Sequence, residues 1–107
     1  MAEYLVDRMK ITRPPIHPGI IVAEDIMPDL RRARTVGENA RLLGVSRQHL
    51  YKVLAGEAPI TGDLAARLGK LVGNGASLWL RMQADYDAWE ATSRLRKELA
   101  RIPTITS

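Results

Sequence analysis

Residues 35–60 read Thr35-Val-Gly-Glu-Asn-Ala-Arg-Leu-Leu-Gly-Val-Ser-Arg-Gln-His-Leu-Tyr-Lys-Val-Leu-Ala-Gly-Glu-Ala-Pro-Ile60. Two short amphipathic segments flank Gly44 in this stretch. Thr35-x-x-Glu38 is a capping box. The Thr35 hydroxyl accepts from the third helical N–H, and Glu38 reaches back to the Thr35 N–H. Val36, Ala40 and Leu43 face inward at helical spacing. Gly44 supplies a turn, most simply at positive φ, and Val45 plugs it against the core. Ser46 is a good N-cap for the next segment. There Leu50, Val53 and Leu54 form the buried stripe, with Arg47, Gln48, Tyr51, Lys52 and Ala55 on the opposite side. Gly56 closes the segment and Pro59 forbids its continuation. Helix, tight turn and helix with a polar outer face make a helix-turn-helix pattern.

Working outward, His17-Pro18-Gly19 reads as a helix start, with Pro18 at the first helical position, where its missing N–H costs nothing. Ile20, Ala23, Ile26 and Met27 share one face of that helix, and Pro28 ends or distorts it. Asp29 to Arg34 reads as a basic connector. Downstream, Thr61 caps a fourth helix with Leu64, Leu68, Leu71 and Val72 inward, and Gly73-Asn74-Gly75 breaks it. A last helix begins near Ala76 and extends toward Leu99 or Ile102, where Pro103 stops it. Its large apolar residues Leu78, Met82, Tyr86 and Trp89 lie on one stripe. Leu78 and Met82 are expected inside the chain's own core, and Tyr86, Trp89 and Leu95 nearer a second copy. The expected organisation is an N-terminal arm at 1–16, a helical domain at 17–91 and an extension with a tail at 92–107.

Composition supports one small helical domain. The 107 residues are 46% hydrophobic without any Phe or Cys. Leu, Ile, Val, Ala and Met favour helices, and the absence of cysteine removes disulfides and Cys-based zinc sites. No apolar run approaches the ~20 residues that cross a bilayer. No leader pattern opens the chain, so the expected location is cytoplasmic and no membrane partner is expected.

The charge is not evenly spread. Arg31, Arg32, Arg34, Arg41, Arg47 and Lys52 face one acid, Glu38, giving net +5 between residues 31 and 52 against +4 for the whole chain. Such concentration suits DNA, where counterion release supplies much of the affinity. On the second motif helix, Gln48 can present a donor–acceptor pair to adenine and Arg47 can fork onto guanine. Ser46 suits a phosphate, Tyr51 a sugar or thymine methyl, and Lys52 a phosphate. His17 and His49, the only histidines, lack neighbours at metal-ligand spacing, and no metal or other cofactor is expected. His17 is expected to help cap the first helix. No nucleophile–base set is present, so an enzyme is not expected.

The chain resembles the HigA-type antitoxins of the Xre/Cro helix-turn-helix superfamily, also labelled virulence-associated protein I. The resemblance rests on His17-Pro18-Gly19, Leu43-Gly44-Val45-Ser46-Arg47-Gln48, Val53-Leu54-Ala55-Gly56, Leu64-Ala65-Ala66-Arg67-Leu68 and the run from Leu78-Trp79 to Ala88-Trp89. It covers residues 14 to 91. It implies an all-α fold, a compact five-helix Xre/Cro-like (lambda repressor-like) domain with a long C-terminal helix. It implies a homodimer that binds a palindromic operator of double-stranded DNA in its own promoter and neutralises a cognate RelE-like ribonuclease toxin. The DNA-binding residues it implies are Thr35, Ser46, Arg47, Gln48, Tyr51 and Lys52, to which the basic cluster adds Arg41. Dimerisation maps to the last helix, through Trp79, Met82, Gln83, Tyr86, Trp89 and Leu95. The sequence departs from the family pattern at Asn39, where an apolar residue is usual, and at Val36, where a phosphate contact is usual. Gly37 weakens the first motif helix by up to ~1 kcal/mol relative to alanine.

Two other functions fit the residues. One is a stand-alone Xre-family regulator without a toxin. The other is a protein-interaction module whose DNA binding is vestigial.

Overall fold

The computed structural model describes residues 14–105, and within them every regular element is helical. Pro14 to Ile16 are irregular, and the rest of the expected arm lies outside the described residues. Helix α1 (Pro18–Ile21) runs directly into a π-helical turn (Val22–Ile26) and then α2 (Met27–Ala33). Helix α3 (Val36–Leu42), α4 (Arg47–Leu54), α5 (Gly62–Val72), α6 (Ala76–Arg94) and α7 (Arg96–Leu99) follow.

The start of α1 is built by three adjacent residues. His17 Nδ1 accepts a hydrogen bond from the Gly19 N–H at 2.9 Å, and Pro18 takes the first helical position. A Cβ at Gly19 would stand 1.8 Å from the Val53 carbonyl oxygen. Only glycine lets α1 come this close to the end of α4. The His17 ring is buried and meets Tyr86 of α6 edge-on, with centroids 4.9 Å apart. One short motif thus ties α1, α4 and α6 together.

Pro28 distorts the first helix without ending it. A proline ring clashes with the carbonyl four residues back in a regular α-helix. Here the Met27 N–H reaches back five residues to the Val22 carbonyl, widening the turn just before Pro28. The helix continues to Ala33, so residues 29–33 are helical and not a connector. Arg31 and Arg32 are good helix formers and sit near its C-terminus, where the helix dipole favours cations.

Helices α3 and α4 end alike. At the end of α3, Gly44 N–H donates to the Arg41 carbonyl and Val45 N–H to that of Ala40, with Gly44 at φ +73°. At the end of α4, Gly56 and Glu57 donate to Val53 and Lys52 in the same pattern. Both are six-to-one, five-to-two caps that need a left-handed residue. The core between the helices is Val22, Met27, Ala40, Leu43, Leu50, Val53, Ile60, Leu64, Leu68 and Trp79, each 4% exposed or less.

Helix α6 packs on α5 and α1. Its 19 residues span about 28 Å. Residues 92–94 are exposed beyond the core, and the described chain measures 54 × 26 × 23 Å. The expected unbroken helix to Leu99 or Ile102 is interrupted at Leu95, with φ −97° and ψ 18°. Little of the chain's own surface backs this segment, and short helices without tertiary packing are marginal.

Two stability predictions follow from this packing. Leu50 is 1% exposed, so Leu50→Ala lowers unfolding free energy by ~2–5 kcal/mol, read by urea denaturation; an unchanged midpoint would remove Leu50 from the core. Burial holds the His17 pKa below its usual 6.5, partly opposed by the charge of Asp87. The folded state therefore prefers neutral His17, whose Nδ1 must stay unprotonated to accept from Gly19. The unfolded chain takes up the proton first, so this stability is complete above pH ~6.5 and declines as pH falls toward the lowered folded value. Melting temperature should fall from pH 7.5 to 5.5, and more steeply than in His17→Asn, which keeps an acceptor but does not titrate. Parallel pH profiles would contradict the assignment.

Candidate nucleic-acid interface

Helix α4 presents the outer face that its sequence pattern requires. Leu50 and Val53 are buried and Leu54 is half-buried, while Arg47, Gln48, Tyr51 and Lys52 are exposed. Tyr51 keeps 48% of its surface open. Ser46 caps the helix, its Oγ accepting from the His49 N–H at 3.0 Å. A hydroxyl that accepts one bond still carries its own hydrogen to donate. The N-terminus of α4 therefore combines a hydroxyl donor, uncommitted backbone N–H groups and the Arg47 guanidinium, a set suited to an anionic oxygen.

The preceding helix adds to this surface. The capping box forms as expected: Glu38 N–H donates to Thr35 Oγ1 at 3.1 Å, and Thr35 N–H to Glu38 Oε1 at 2.9 Å. These bonds to Thr35, backbone first, hold the Glu38 carboxyl below its usual range, and Arg34 and Arg41 add to the effect. The single acid of the region is thus committed to capping. Thr35 and Arg41 are exposed with the α4 residues. Asn39, at a position where the sequence suggested a misfit, is buried, and its amide donates to carbonyls of Leu30, Arg34 and Thr35.

One basic residue near the turn was not singled out by the sequence. The Arg67 guanidinium of α5 lies over Gly44, 2.7 Å from where a Cβ would stand. Its exposure on a helix otherwise read for its leucines is a signal visible only after α5 is docked on the turn.

The far end of the molecule divides the expected interface residues. Trp79 is 2% exposed and its Nε1 donates to Asn74 Oδ1 at 3.0 Å. Gln83 is 6% exposed, accepting from the Ile60 N–H at 2.8 Å and donating to Asp87 Oδ1 at 2.9 Å. Both side chains are buried and hydrogen-bonded within their own chain. Met82 is half-buried against the core. Leu78, expected inside, is exposed. Tyr86 and Leu95 are half-buried and Trp89 is exposed, with Trp89 tilted against Tyr86 at 6.3 Å.

Among the described residues no group of three or more His, Cys, Asp or Glu could hold a metal ion, and no helix is long and apolar enough to cross a membrane.

No family model matches the chain. It is 35% identical over 98 residues to the uncharacterized HTH-type transcriptional regulator YbaQ of Escherichia coli K12, covering 88% of this chain and 83% of that protein. It is 31% identical to an addiction module antidote protein of the HigA family from Coxiella burnetii, with a TM-score of 0.73 over 88% of this chain and 100% of the other. The Pseudomonas aeruginosa antitoxin HigA, solved with the higBA promoter, is 26% identical with a TM-score of 0.74, over 86% of this chain and 99% of that one. This chain belongs to the helix-turn-helix transcriptional regulators of the HigA antitoxin type.

Proposed function

We propose that the chain is a homodimeric, sequence-specific DNA-binding autorepressor that also neutralises a RelE-like toxin by protein–protein binding. The observation that carries the DNA half is α4 itself. Its apolar side is sealed under the core while Arg47, Gln48, Tyr51 and Lys52 stand outward on a capped, rigid helix. Arg47 and Gln48 read bases in the major groove. Thr35, Arg41, Ser46 and Lys52 hold phosphates, fixing register without reading sequence. The HigA relative solved with its promoter supports the same use of the fold.

The dimer half rests on α6. Trp89, Leu99 and Ile102 are exposed apolar groups on or beyond a helix that outruns its own core. Pairing two copies through Tyr86, Trp89 and Leu95 covers part of this surface. Two recognition helices would then be set roughly 34 Å apart, matching half-sites one turn of DNA apart. The toxin half follows from family membership alone, and a stand-alone regulator, as the name of YbaQ suggests for that relative, shares the same DNA chemistry. Co-purification with the product of an adjoining gene separates them.

Arg47→Ala or Gln48→Ala should each cost ~1–3 kcal/mol of discrimination between the operator and a base-substituted duplex, measured by competition binding; full discrimination in both variants would reject the base-reading role. Trp89→Asp should shift the chain from dimer to monomer in sedimentation while leaving its helicity intact. A variant still dimeric at the same concentration would move the interface elsewhere.

A further inference from the structure

Only Arg34 and Thr35 separate α2 from α3. Beneath this junction lies Asn39, with no exposed surface. Its Nδ2 donates toward the carbonyls of Leu30 at 3.3 Å, Arg34 at 3.2 Å and Thr35 at 3.0 Å. These belong to the last turn of α2, the junction and the cap of α3. Two amide hydrogens serve three acceptors, so at least one is shared. The Leu30 and Thr35 carbonyls also receive backbone N–H groups, from Arg34 at 3.1 Å and Asn39 at 3.0 Å. The Arg34 carbonyl lies outside both helices and takes its bond from Asn39. The other end of the amide, Oδ1, is buried without a hydrogen-bond partner. Reversing the amide would aim that oxygen at three carbonyl oxygens, so the donor must face the junction. A buried orphan acceptor is costly, and what it secures is the angle between α2 and α3 together with the backbone of Arg34.

Above the junction the Arg34 side chain is exposed beside the capping box. Its charge acts on Glu38 from the same neighbourhood as that of Arg41. Arg32, two residues earlier in α2, is instead turned to Asp29 at 3.5 Å.

We infer that Arg34 is a phosphate contact and that Asn39 is its positioning residue, holding the α2–α3 junction so that Arg34 meets the DNA backbone beside Thr35. Asn39 itself does not touch DNA. The inference rests on the DNA-binding reading above and adds to it a contact from outside the helix-turn-helix, fixed by a buried amide.

The test is a double-mutant cycle on the full chain. Binding to the upstream promoter duplex is measured against salt for wild type, Arg34→Gln, Asn39→Leu and the double variant. At ~0.9 per phosphate, losing one contact from each of the two subunits flattens the slope of log K against log salt by ~1.8. Arg34→Gln should show that loss with unchanged thermal melting. Asn39→Leu should show a similar loss, and the double variant no further loss. The ratio of operator to base-substituted duplex should stay constant in all four, since a phosphate contact reads no bases. An unchanged slope in Arg34→Gln would overturn the contact. A fully additive double variant would overturn the positioning role of Asn39. If Asn39→Leu loses native helicity, Asn39→Ser, which keeps a donor only for the nearby Thr35 carbonyl, takes its place. Collapse of both would make Asn39 purely structural and overturn the inference. Absence of any salt-dependent affinity in wild type would instead overturn the DNA-binding reading beneath it.

Discussion

An eight-residue helix does not persist alone in water, because nucleation outweighs the few bonds it gains. Helix α4 is such a helix, and the DNA reading proposed for it depends on holding it still. Its neighbours do so at three places. Ser46 and the Gly44 turn fix its start. Leu50 and Val53 fasten its underside to the core. Gly56 and the close approach of Gly19 to the Val53 carbonyl fix its end. Rigid placement of this kind is what base reading needs, since side chains held within a fraction of an ångström lose little freedom on binding.

The features legible in the sequence are those written locally. The capping box at Thr35 and Glu38, the caps at Ser46 and Thr61, the His17-Pro18-Gly19 start and the left-handed glycines at 44 and 56 all involve residues within a few positions of one another. All appear where their chemistry puts them. The polar face of α4 is legible for the same reason, because a helical period converts directly into two sides.

What was not legible depends on docking. Helix α6 carries apolar residues around much of its circumference, so period alone does not say which side is inward. The side containing Trp79 and Gln83 is chosen by α5 and by the Ile60 N–H, and Leu78 is left outside. The π turn ahead of Pro28 is a register slip with no sequence pattern of its own. Asn39 looked like a flaw in a core position. It becomes intelligible only once the carbonyls of Leu30 and Arg34 are placed above it. The seven exposed residues expected to meet DNA were read from charge, pattern and resemblance, and the geometry leaves all of them accessible.

The central claim is that α4 is the reading head. The most direct measurement is amide and side-chain chemical-shift mapping of the isotope-labelled full chain titrated with its upstream promoter duplex. The largest changes are expected at Arg47, Gln48, Tyr51 and Lys52, with smaller ones at Thr35 and Arg41, and saturation at two chains per operator. Changes confined to α5 and α6, with α4 unmoved, would contradict it.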